Sequence, residues 1–110
     1  MRTLKFIVDG QIIRQDPNCD FSGLVPGTEG YLRAEFAFSP EWDGSVKVVG
    51  FYSNLGKEYE PQILDNARSC IIPAEALARR IFKVRVIGKT KTGFKLTTNK
   101  VAVSQEGGLE

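Results

Sequence analysis

Side-chain alternation limits most strongly what this chain can become. From Tyr31 to Phe38, the residues Leu32, Ala34, Phe36 and Phe38 fall on one side and Tyr31, Arg33 and Glu35 on the other. From Ile81 to Ile87, Phe82, Val84 and Val86 alternate with Lys83 and Arg85. A period of two belongs to a strand with one face in a core and the other in water. Further β-prone runs lie at 4–8, 11–14, 46–52, 58–64, 69–72 and 94–98, and Val101 and Val103 close the series. Both faces of 46–52 are apolar, which predicts a central strand, whereas Pro61 confines 58–64 to an edge.

Turn chemistry separates these runs. Asp9-Gly10 predicts a tight hairpin, because the favoured two-residue turn needs positive φ. The stretch 15–30 holds two prolines and three glycines and predicts a long loop, pinned by Phe21, Leu24 and Val25. Ser39-Pro40-Glu41-Trp42-Asp43-Gly44 predicts a corner between strands. The helical candidate is Pro73 to Arg80, where Ala74, Leu77, Ala78 and Ile81 share one helical face. Short strands at regular spacing with one stubby helix predict an antiparallel sandwich, with a small barrel as the alternative. At 110 residues the chain holds one domain, expected over 1–106. Residues 107–110 are expected to be a disordered tail, with Leu109-Glu110 reading as a cloning scar.

The chain contains no histidine. That removes the commonest general base, the commonest metal ligand and the usual partner of a nucleophilic serine or cysteine. The glycines form neither a dinucleotide fingerprint nor a phosphate loop. Glu41 with Asp43, and Glu58 with Glu60, are the nearest carboxylate pairs, and their spacing fits a solvated edge better than an acid/base couple. Cys19 and Cys70 form no metal-ligand motif and are expected to be free thiols, with a bridge between them left open. The expectation is therefore a protein with no catalytic residue, no cofactor and no metal. No apolar run approaches the ~20 residues of a membrane span. The first residues lack the apolar stretch of a secretion signal. A soluble chain with no membrane partner is expected, cytoplasmic when expressed.

Charge is distributed unevenly. Residues 1–75 carry seven Lys/Arg against eleven Asp/Glu, and the remainder carry eight against two. Arg79, Arg80, Lys83, Arg85, Lys89, Lys91, Lys95 and Lys100 follow one another with no acid between them. Alternation predicts that Lys83, Arg85 and Lys95 share a face, with Lys89 and Lys91 at an adjoining loop tip. One reading makes this a patch for an acidic protein surface or nucleic acid. The bland alternative is a solvated face whose charges pair with acids such as Glu35 on a neighbouring strand. Trp42, with Tyr31, Tyr52 and Tyr59, is either a stacking platform for sugars or, in its corner, a plug for the core. The candidate partner-binding residues are thus Lys83, Arg85, Lys89, Lys91, Lys95 and Trp42.

Several motifs occur in a suggestive order. Phe36-Ala37-Phe38-Ser39-Pro40-Glu41-Trp42-Asp43-Gly44 resembles the strand and corner of small phage-encoded proteins from Gram-positive prophages. Cys70-Ile71-Ile72-Pro73-Ala74-Glu75-Ala76-Leu77 is similar to their Ile-Pro stretch, and 84–88 with 97–103 to their closing strands. The layout resembles the immunoglobulin-like or fibronectin-like modules of phage baseplate and tail proteins. That resemblance implies an immunoglobulin-like sandwich of about seven to eight strands with a short helix near 73–80. It implies a structural part of a virion that docks on protein subunits or on itself, and it transfers no catalytic residue. Two rivals stay open: a carbohydrate-binding module using Trp42 and the tyrosines, and a nucleic-acid binder using the basic C-terminal hairpin.

Overall fold

A computed structural model describes residues 1–106; the expected tail, 107–110, lies outside the described residues. The chain opens with an antiparallel hairpin of β1 (Arg2–Asp9) and β2 (Ile12–Gln15), in which Asp9 faces Ile12 and Gly10 adopts φ +58°. β2 returns along the second half of β1, ending with Gln15 opposite Phe6. A loop over 16–31, tied down by Arg2 donating to the Asp20 and Ser22 carbonyls, leads into β3 (Leu32–Phe38). β3 therefore starts beside the start of β1 and runs parallel to it, Arg2 opposite Leu32 and Val8 opposite Phe38. The sequence pattern predicts only antiparallel pairs. The parallel pair arises because the hairpin and the loop after it have already supplied the return, so the next strand along β1 runs the same way.

After β3 the chain changes sheet at a 3₁₀ turn, Pro40–Trp42. It enters β4 (Val46–Ser53), then β5 (Gln62–Ile63), and crosses back to the first sheet as β6 (Ser69–Ile71). One helical turn, α1 (Ala74–Leu77), precedes β7 (Ile81–Lys89), β8 (Lys95–Thr97) and β9 (Val101–Ser104). The described residues thus form an all-β sandwich of two sheets, ordered β2-β1-β3-β6 and β5-β4-β7-β8, with β9 also pairing β7. β8 and β9 lie end to end along the same side of β7, interrupted at Thr98–Lys100. Thr98 bridges the gap: its N–H donates to the Val86 carbonyl, and its Oγ1 accepts from the Val86 N–H at 3.1 Å.

The inward halves of the strands meet in one core that includes Leu4, Phe6, Val8, Phe36, Val49, Phe51, Phe82, Val84 and Val86. An aromatic file runs through it, from Phe21 to Phe6, Phe36, Phe38 and Trp42, with successive ring centroids 5.3–6.1 Å apart. Trp42 is completely enclosed, and its Nε1 donates to the Gly10 carbonyl at 2.8 Å. Its ring lies on Gly88 of β7, so closely that a Cβ there would stand 2.7 Å from Cζ3. One open flank of the sandwich is stitched by Asn99, which accepts from the Ile13 N–H at 2.8 Å and donates to the Ile13 carbonyl.

The helix is shorter than the two turns its periodicity predicts. The Leu77 carbonyl is taken by the Gly27 N–H and the Gln105 amide, and Gln105 also donates to the Arg79 carbonyl at 2.7 Å. These tertiary hydrogen bonds satisfy carbonyls left open at the helix end, where the Ala78 N–H already tightens onto the Glu75 carbonyl. The two cysteines are free: Cys70 is buried in β6 and Cys19 lies half-buried beside β1.

Two outcomes follow. Gly88→Ala should destabilise the domain by about 1–3 kcal/mol, because the new methyl group meets the Trp42 ring in a filled core; denaturant unfolding reads this directly, and an unchanged midpoint would refute the contact. Burial pushes the Cys70 thiol from 9.0 to about 12. Ionisation then favours the unfolded chain, so this group's stabilising contribution is whole below pH 9 and falls as pH rises toward 12. Cys70→Ala should flatten the alkaline limb of the stability curve between those values, whatever its effect at neutral pH.

Candidate functional site

Parity along β7 decides which side chains reach solvent. Phe82, Val84, Val86 and Gly88 face the core, so Lys83, Arg85, Ile87 and Lys89 face outward. Strand pairing extends each into a row across the five-stranded sheet. Lys83 stands between Tyr52 and Ala102; Arg85 stands beside Gly50; Ile87 stands between Val48 and Thr97; and Lys89 stands between Val46 and Lys95. Continuing the β7·β9 register by one step, past Val84 opposite Val101, places Lys100 across from Arg85. β5 adds Ile63 next to Val48.

Lys83, Arg85 and Lys95 therefore share a face. Lys89 joins them as the last residue of β7 rather than as part of a loop tip. Lys91 lies in the turn beyond β7 and, with Val46, Val48, Ile87, Lys89 and Thr90, borders a shallow depression of about 430 Å³ on the same face. Trp42 is corrected: its ring is sealed in the core, with no surface for a partner or a sugar, because the corner turns it inward onto Gly88. Lys100 and Tyr52, which the charge pattern alone did not select as docking residues, belong to the face. The alternation of Val101 and Val103 with their neighbours is the signal that points Lys100 outward.

Tyr52 organises the cations. Its ring lies flat over Gly50, where a Cβ would come within 2.5 Å of the phenol oxygen, so glycine makes the room. The ring is only 3% exposed. Lys100 Nζ sits 4.0 Å from its centroid and the Arg85 guanidinium carbon 5.2 Å, while Arg85 Nη2 donates to the Tyr52 hydroxyl at 2.9 Å. A cation over an aromatic face gains from the ring quadrupole, which allows two like charges to sit near one ring. Arg85 Nε is buried without a hydrogen-bond partner among the described residues.

The outer faces of the two sheets differ in charge matching. On the four-stranded sheet Lys5 stands opposite Glu35, and Arg33 pairs with Asp65 at 3.3 Å. Glu35 belongs to this sheet, so it cannot neutralise the β7 cations as the bland reading requires. On the five-stranded sheet Lys89 stands directly opposite Lys95, and Arg85 shares the Tyr52 ring with Lys100. Glu58, an acid at its margin, is bridged to Tyr52 on the far side of β4. Among the described residues no ion pair joins Glu58 or any other acid to Lys83, Arg85, Lys89, Lys95 or Lys100. Like charges directly opposite are destabilising. Exposed Val46 and Ile63 lie beside them, 64% and 72% accessible.

A second concavity, a cleft of about 730 Å³, lies between the 53–59 turn, α1 and the start of β7. Leu55, Tyr59, Ala78 and Ile81 supply its apolar wall, and Glu75 contributes a carboxylate. No group of three or more metal-ligating side chains occurs among the described residues. None of the described helices is long and apolar enough to cross a membrane.

Comparison with protein-family models, with curated proteins and with solved structures returned no match for this chain. The residues that carry the phage-module resemblance are mostly packing residues: Phe36, Trp42, Ile72 and Leu77 are all buried. They bear on how the chain folds, whereas the matching segments 84–88 and 97–103 also carry Arg85, Ile87 and Lys100 of the outer face.

The Lys89–Lys95 repulsion is directly measurable. Lys95→Glu should raise the stability of the isolated domain by about 0.5 kcal/mol, roughly 3 °C in Tm. A Tm that stays the same or falls would show that the two ammonium groups do not repel across the pair.

Proposed function

We propose that this chain is a non-enzymatic docking module that joins a larger protein assembly through the outer face of its five-stranded sheet. The observation that carries this reading is the unmatched row of cations beside exposed apolar side chains, with Lys89 directly opposite Lys95. Repulsion of that kind is a standing cost to the free domain, and a partner bearing carboxylates would relieve it. Charge complementarity would speed encounter and fix register, while Val46, Val48, Ile63 and Ile87 would supply the desolvated contact. The assembly we propose is of the phage or prophage tail type, a setting supported by the resemblance of 36–44 and 70–77 to tail and baseplate modules. The carbohydrate-binding alternative is weakened by the enclosure of Trp42 and Tyr52.

The test uses poly-L-glutamate as a stand-in for an acidic surface. The unmodified chain should bind it at low salt and lose affinity as ionic strength rises and screening shortens to about 8 Å. Lys89→Glu combined with Lys95→Glu should weaken binding about tenfold or more. Arg14→Glu, on the exposed side of the other sheet, should leave it unchanged. Equal losses in the two variants would remove the docking face.

A further inference from the structure

The outer residues of β7 are graded as well as charged. Successive outward positions lie about 6.7 Å apart along a strand. Arg85 is joined by Lys100 over the Tyr52 ring, the Ile87 row joins Val48, Ile63 and Thr97, and the Lys89 row joins Lys95 and Val46. Along β7 the face therefore reads cation, apolar, cation. The first cation row is also the best built. Tyr52 holds Lys100 and Arg85 on one ring, and the Arg85 guanidinium donates to the Tyr52 hydroxyl.

We propose that this face recognises an extended protein segment with an acid, an apolar residue and an acid at alternate positions, laid along β7 with its side chains pointing down onto the sheet. The inference rests on the docking reading above and names the chemistry of the partner. An extended segment repeats its side chains on one face at the same interval as β7. One carboxylate then falls at Arg85 and Lys100, the apolar residue at Ile87 and Val48, and the second carboxylate at Lys89 and Lys95. The ends of the segment meet cations that no ion pair neutralises among the described residues, and its middle covers side chains that otherwise face water. A nucleic-acid strand fits less well. Its phosphates are charged at every step and gain nothing from the apolar row, and the Tyr52 ring is sealed against base stacking.

The test compares two short synthetic peptides of identical composition, one with acid, valine and acid at alternate positions and one with the two acids adjacent and the valine displaced. The whole chain is titrated with each at low salt and followed by amide chemical shifts. The alternating peptide should bind about tenfold tighter, with the largest shifts at Arg85, Ile87, Lys89 and Lys100. Ile87→Thr should abolish the preference while preserving attraction to both peptides. Equal binding of the two peptides would overturn the row-matching and leave acidic docking standing. Binding of neither would overturn both, and tighter binding of a single-stranded oligonucleotide of equal charge would overturn the choice of a protein partner.

Discussion

The contact of Trp42 with Gly88 governs the rest of the molecule, because one side chain there touches three parts of the fold. Trp42 sits in the corner that carries the chain between sheets, its indole N–H reaches the β1–β2 turn, and its ring rests on β7. Only a residue without a Cβ lets β7 approach that ring so closely. The approach also fixes parity. With Gly88 against the indole, Ile87 and Lys89 must face outward, and the two-residue period carries Arg85 and Lys83 with them. The arrangement of the outer face is thus a consequence of how the core is plugged.

The two surfaces of the sandwich solve the problem of charge differently. The four-stranded sheet sets opposite charges across from one another, as a self-sufficient surface does. The five-stranded sheet gathers cations, places two of them opposite each other, and stabilises part of the cluster through the buried ring of Tyr52 rather than through carboxylates. That choice retains positive charge at the surface. An ion pair would have neutralised it; a cation–π contact holds the ammonium and guanidinium in place while leaving their charge available.

Much of this was legible from residue order. The strands, the Gly10 turn, the corner at 39–44 and the sharing of one face by Lys83, Arg85 and Lys95 follow from alternation and turn chemistry, which act over a few residues. The choice between platform and plug for Trp42 did not, because it depends on a glycine 46 positions further along the chain. The end of the helix was equally hidden, since Gln105 and Gly27 close it off at the Leu77 carbonyl from distant parts of the chain. The parallel β1·β3 pair was missed because local pattern marks a strand without stating its neighbour.

Sequence by itself determined which residues of a strand share a face, since a strand's pleat sends successive side chains to opposite faces whatever it pairs with. It also determined that the C-terminal third would be basic. Tertiary structure alone decided that Glu35 would lie on the other sheet, that Lys100 would come to rest beside Arg85 on Tyr52, and that Lys89 would meet Lys95. Those outcomes depend on strand order and register, which are set by the packing of both sheets around one core rather than by any short stretch of chain.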